Sequence, residues 1–140
     1  MCDPETFELF SASNFDAYDR ERYPAPLREG LAHHGLQLSD VLAVTQDFGC
    51  WVLCRTGIFR VGLRGMFKKR TEIDAFIAYA AIESYRVEPS GPHSRRLVFI
   101  GRDGKEVARI DFSAAGMETT PAMAAAQCDR IRAVIDAATR

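Results

Sequence analysis

What this sequence lacks narrows it first. It has no run of the ~18–20 apolar residues that a membrane-spanning helix needs. Its opening, MCDPETFELF, has neither the basic start nor the apolar core of a secretory signal. No transmembrane segment is expected, and a soluble cytoplasmic protein is. Charge of one sign is also missing. The 18 Lys+Arg stand against 19 Asp+Glu, for a formal net charge of −1, whereas a nucleic-acid-binding domain is usually strongly basic. No nucleic-acid partner is expected. The four cysteines, Cys2, Cys50, Cys54 and Cys128, form no CxxC pair and have no histidine at metal-ligand spacing. Cys50 and Cys54 fall in one predicted strand, where four residues span roughly 13 Å, beyond disulfide reach. They read as small apolar side chains in a reducing compartment. Catalytic signatures are absent as well. No GxSxG context recruits Ser94 and Asp111 into a triad, and Gly62-Leu63-Arg64-Gly65 is not the GxxxxGK[ST] of a phosphate loop. His33 and His34 point about 100° apart on a helix, so they do not readily grip one metal, and His93 is remote in sequence. All three read as surface histidines. These residues imply no enzyme, no metal and no cofactor.

What is present is an ordinary globular composition, with 47% hydrophobic, 10% aromatic and 26% charged residues over 140 positions. That length is one domain's worth and can bury a real core without staples. Residues 1–23 are acidic and rich in large apolar groups: Phe7, Leu9, Phe10, Phe15 and Tyr18 alternate with Asp3, Glu5, Glu8, Asp16, Asp19 and Glu21. So many apolar groups are expected to pack on the domain or on a partner. After Pro24 and Pro26, APLREGLAHHG predicts a short helix with Pro26 in its first turn and Gly35 as its stop.

From Val41 the pattern changes to strands. VLAVTQ (41–46), CWVLCR (50–55) and IFRVGL (58–63) are separated by an Asp47-Phe48-Gly49 turn and a Thr56-Gly57 turn. In the third run Phe59, Val61 and Leu63 face one way while Ile58, Arg60 and Gly62 face the other. A basic loop over 64–72 leads into EIDAFIAYAAIESYRVEP, where Ile82, Tyr85 and Val87 break strict alternation and predict a bulge or corner. Pro89-Ser90-Gly91-Pro92 ends that strand. RRLVFIG (95–101) and KEVARIDFS (105–113) flank an Asp103-Gly104 hairpin turn. Thr120 then caps a helix with Pro121 at its first position. Its apolar stripe is Ala124, Cys128, Ile131, Ile135 and Ala138, widened by Met123 and Val134.

This order resembles the bacterial pleckstrin-homology-like domains over residues 41–139. The text that carries the resemblance is VLAVTQDFGCWVLCRTGIFRV, FIAYAAIESYRVEP, RLVFIGRDGKEVARIDF and QCDRIRAVIDAA. The resemblance implies a mainly β (α+β) fold, a roll of two antiparallel sheets capped by a C-terminal amphipathic helix. Residues 1–40 have no counterpart in it and read as an acidic, aromatic extension with a short helix, ahead of a 41–140 domain. It also implies a non-enzymatic interaction module, a family role that often includes oligomerisation.

One local excess stands out against the overall charge balance. Arg55, Arg60, Arg64, Lys68, Lys69 and Arg70 fall within sixteen residues that hold no acid. Arg60, Arg64, Lys68, Lys69 and Arg70 are candidates for binding an anionic partner, either a lipid headgroup or an acidic peptide, and Phe67 beside Met66 at the loop tip could enter an interface. The bland alternative is a solvated loop that keeps a strand edge from aggregating. A third is that the acidic N-terminal segment docks on it. A different class of reading is a structural or homo-oligomeric domain. It would pair through strand edges or through the N-terminal Phe7, Phe10, Phe15 and Tyr18.

Overall fold

A computed structural model of the chain describes residues 3–65, 69–113 and 120–139. The architecture is α+β: two antiparallel sheets, helices at the N-terminal end and an amphipathic helix at the C-terminal end. The chain divides into two compact units, residues 1–76 and 77–140.

The first unit runs α1 (Pro4–Ser11), α2 (Ala17–Arg22), α3 (Pro24–His33), a 3-10 turn (Leu38–Asp40), then β1 (Val41–Gln46), β2 (Cys50–Cys54), β3 (Gly57–Arg64) and β4 (Arg70–Ile73). Local chemistry explains the helix starts. Asp3 accepts the Thr6 N–H at 2.9 Å ahead of Pro4, and Asp16 accepts the Asp19 N–H at 2.8 Å. The expected stop of α3 is present: Gly35 follows it with φ 68°, a left-handed conformation that favours glycine. The strands form an antiparallel meander in the order β1-β2-β3-β4. The basic loop is shorter than the sequence suggests. Arg70–Ile73 folds back as β4, with Thr71 opposite Leu63 and Ile73 opposite Val61. Those two β-branched residues supply an alternation that the surrounding charges obscured.

The core of this unit lies between the helices and one face of the sheet. Phe10, Phe15, Tyr23, Leu27 and Leu31 pack with Val44, Val52, Cys54, Phe59 and Val61, and Leu63 and Ile73 join from the side. The expected alternation of β3 holds, with Phe59, Val61 and Leu63 on the helix side. Phe10 and Phe15 meet edge to face at 4.9 Å, and Phe15 and Tyr23 lie 5.5 Å apart. Helix α3 sits so close to β3 that a Cβ on Gly30 would come within 2.6 Å of Val61 Cγ1 and 2.8 Å of Phe59 Cε2. Only glycine permits that approach.

The second unit contains β5 (Ile77–Ala78), a 3-10 turn (Tyr79–Ala81), β6 (Ile82–Pro89), β7 (Arg95–Gly101), β8 (Glu106–Phe112) and α4 (Pro121–Ala138). Strands β6-β7-β8 form an antiparallel meander. The predicted irregularity is present as a register shift between Ile82 and Ser84, and the Asp103-Gly104 turn closes the β7–β8 hairpin. On one face Val87, Leu97 and Ile110 stand in a cross-strand row, next to Tyr85 opposite Phe99. Helix α4 packs against β7 and β8, and Tyr85 Oη donates to Asp136 Oδ1 at 2.5 Å, which identifies this face as the one under the helix. Thr120 caps α4 as expected, accepting the Met123 N–H at 3.1 Å. Ala124, Cys128, Ile131 and Ile135 are buried, but Met123 is 53% exposed and Gln127 is buried in its place. The other face is charged and internally paired: Arg96 with Asp111 at 2.9 Å, Arg86 with Glu88 at 3.0 Å and Arg109 with Glu106 at 2.6 Å.

Candidate functional site

Arg60, Arg64, Lys69 and Arg70 lie toward the end of the first sheet that also carries the β1–β2 turn. Arg60, Arg64 and Arg70 share a face, because Arg64 stands opposite Arg70 and Arg60 is four residues, an even number, back along β3. Two of them already have carboxylates. Arg60 Nε meets Asp74 Oδ2 at 2.9 Å, and Arg64 pairs with Glu72. Lys69 and Arg70 are exposed. Lys68 and Phe67 lie outside the described residues.

The acidic N-terminal residues do not supply these partners. Asp3 pairs with Arg28, and Asp19 accepts from Gln46 Nε2 at 2.5 Å and pairs with Arg22 at 3.4 Å. These contacts belong to the helical layer, which covers the face of the sheet opposite to Arg60. The Asp3 carboxyl is held below the usual range, first by the Thr6 N–H and then by the Thr6 hydroxyl and Arg28.

The N-terminal interface candidates separate into two pairs. Phe10 and Phe15 are 1% and 2% exposed, so they are core residues and are not presented to a partner. Their rings fill the space between α1, α2 and the sheet, a burial of roughly 1.5–3 kcal/mol each. Phe7 and Tyr18 are exposed, and the Arg22 guanidinium lies 4.7 Å from the Tyr18 ring centre. Phe7 lines a cleft of about 620 Å³ together with Ala17, Arg20, Pro24 and Arg28.

Sequence reasoning passed over Phe48. In the sequence it reads only as part of a turn, yet it is 91% exposed and has φ 49°. A bulky side chain in left-handed conformation is uncommon and costs of order 1 kcal/mol. The conformation is held from below by Arg60, whose Nη1 donates to the Phe48 carbonyl at 2.8 Å while Nε holds Asp74. The signal was available: a phenylalanine at the centre of a three-residue turn between two strands has no sheet face on which to hide.

The histidine and triad candidates resolve plainly. His34 departs from the expectation of a surface residue: its Nε2 lies 2.9 Å from the Asp74 carbonyl and its ring packs 4.7 Å from Phe59, which ties the end of α3 to the segment after β4. Ser94 Oγ bonds Ser113 Oγ at 3.3 Å and Asp111 pairs with Arg96, so the structure does not bring Ser94 and Asp111 into a triad. Cys50, Cys54 and Cys128 are buried unbridged thiols. Burial pushes the Cys50 and Cys54 thiols up, Cys54 to about 12, which removes thiolate character at neutral pH. Among the described residues, no group of three or more His, Cys, Asp and Glu is placed to hold a metal, and no helix is long and apolar enough to cross a membrane. Comparison of the chain with protein-family models, with curated proteins and with solved structures finds no match.

Proposed function

We propose that the chain is a non-enzymatic interaction module of pleckstrin-homology-like plan, and that it meets an anionic lipid surface through the end of the first sheet. The order of elements supports the plan: a meander of four strands, a meander of three, then one amphipathic helix. The observation that carries the binding reading is Phe48, 91% exposed at a turn whose carbonyl is clamped by Arg60. An aromatic ring held outward at the same end of the sheet as the exposed cations Lys69 and Arg70 is the combination that suits a charged interface. Each basic group there is worth about 1 kcal/mol and a buried ring somewhat more. Arg60 and Arg64, with their carboxylates in place, act as the frame of this surface.

The test is co-sedimentation with vesicles of neutral lipid alone and of neutral lipid mixed with phosphatidylserine. Wild type binds only the anionic vesicles. Phe48→Ala weakens binding by roughly tenfold, and Lys68→Glu/Lys69→Glu/Arg70→Glu abolishes it. Unchanged binding in both variants overturns the proposal. Capture of an acidic peptide by the same cations, without vesicle binding, would move the reading to a protein partner.

The second reading is self-association through the N-terminal helices, favoured by the exposed Phe7 on its cleft and the exposed Tyr18. Deleting the segment is a poor test, because it also removes core residues Phe10 and Phe15. Phe7→Ser/Tyr18→Ser leaves the core intact, and an unaltered mass by light scattering removes those two side chains from any assembly role.

A further inference from the structure

The polar cluster at the start of the sheet holds a contact of unusual form. Strand β1 ends the β1-β2-β3-β4 path. At its last residue, Asn14 Oδ1 accepts the Gln46 N–H at 2.7 Å, and Asn14 Nδ2 donates to the Gln46 carbonyl at 3.1 Å. One side-chain amide thus exchanges both hydrogen bonds with one backbone residue. This is the pattern that two residues make across an antiparallel ladder. Thr45 Oγ1 adds a third bond to Asn14 Oδ1 at 3.1 Å, and the Gln46 side chain is anchored on Asp19. We propose that Asn14 is an edge plug: it occupies the position that β1 of a second copy would take, and so keeps the chain from pairing strand to strand with itself.

Three observations make the second copy the relevant competitor. First, β1 reads Val41-Leu42-Ala43-Val44-Thr45-Gln46, with no charge and no proline, so it carries none of the side chains that usually guard an edge. Second, the peptide groups of Gln46 point away from β2, because both are taken by Asn14. By the two-residue period of a strand those of Val44 point the same way. Val44 is buried in the core under the helical layer on one face of the sheet, and the edge contact shown on the outward peptide groups is the one that Asn14 makes at Gln46. Third, β1 against β1 in antiparallel register is two-fold symmetric, so one freed edge is complementary to its own copy.

The experiment uses the full chain, with amide exchange read at Gln46 and mass read by light scattering over a range of concentrations. In wild type the Gln46 amide is protected and the edge does not support dimerisation. Asn14→Ala removes all three bonds: Gln46 exchange accelerates about tenfold and a dimer grows with concentration. Asn14→Asp keeps the acceptor and loses the donor, so it falls between the two and carries the same comparison if Asn14→Ala does not fold. Adding Gln46→Pro to Asn14→Ala removes the outward N–H without touching the ladder to β2 and restores the monomer. The proposal is overturned if Asn14→Ala exchanges faster but stays monomeric. It is equally overturned if its Gln46 amide is unchanged, or if the dimer survives Gln46→Pro.

Discussion

Gly30 tests the packing of the helical layer most directly, because two effects of opposite sign meet there. In an exposed helix interior, Gly→Ala stabilises by about 1 kcal/mol. At Gly30 the new methyl would sit 2.6 Å from Val61 Cγ1 and 2.8 Å from Phe59 Cε2, both inside the 3.0 Å that real Cβ contacts respect. Neither neighbour can yield cheaply. Val61 is branched at Cβ on a central strand, and the Phe59 ring is fixed by His34 at 4.7 Å and Phe76 at 6.4 Å. Helix α3 must therefore lift from the sheet, loosening Leu27 and Leu31, both essentially buried. Overpacking of this kind costs about 1–3 kcal/mol, so Gly30→Ala is expected to destabilise by about 1 kcal/mol net. Trp51 is the chain's only tryptophan and lies in the same sheet, so its fluorescence follows unfolding of this unit. The urea midpoint should fall by roughly 0.5 M. In the double variant with Val61→Ala, which removes the nearer of the two clashes and leaves Phe59 Cε2 at 2.8 Å, the added cost of Gly30→Ala should shrink, a coupling that a double-mutant cycle measures. A Gly30→Ala midpoint equal to or above wild type would refute the reasoning.

Two further predictions use other parts of the molecule. Tyr85→Phe deletes the bond to Asp136 and should cost about 1 kcal/mol. It should also speed amide exchange in the last two turns of α4, and unchanged exchange there would show that the bond does not pin the helix. Cys54 and Tyr23 both have raised pKa values, from burial first and then from Asp40 and Asp19 respectively. A group whose folded pKa is raised stabilises fully below its unfolded pKa and loses that contribution as pH rises. The urea midpoint read by Trp51 should therefore hold through neutral pH and fall between roughly pH 9 and the Cys54 value of about 12; a flat profile would contradict the burial of these groups. In the same experiment iodoacetamide should leave Cys50, Cys54 and Cys128 unmodified until the chain unfolds.

The elements most legible in the sequence were those fixed by local chemistry. The Asp103-Gly104 hairpin, the Pro89 stop, the Thr120-Pro121 helix start and the alternation of β3 all depend on residues a few positions apart, so a single sequence carries them. Strand β4 was hidden because its partner pattern, Thr71 and Ile73, is only two residues long and lies beside four charges. The helical layer was legible in composition and not in detail. The excess of phenylalanine in residues 1–23 said that something would be buried, but which rings went inside depended on long-range packing. Phe10 and Phe15 met the sheet, while Phe7 and Tyr18 faced out.

The basic stretch shows why charge counts along a chain overstate a site. Within residues 55–70 no acid interrupts the run, yet the sheet brings Glu72 beside Arg64 and Asp74 beside Arg60 through pairing that skips the loop. A β-hairpin folds the sequence back on itself, so the partner of a residue before the turn lies a similar number of positions after it. The acids that answer Arg60 and Arg64 are therefore the first ones beyond the hairpin. Among the described residues, the exposed cations nearest the turn are Lys69 and Arg70. Phe48 lies at the same end of the sheet, from a position too distant in sequence to be associated with them. The same logic explains Asn14, which answers an edge residue 32 positions away. A strand without charge or proline looks unguarded in sequence, and its guard becomes visible only when the chain is folded.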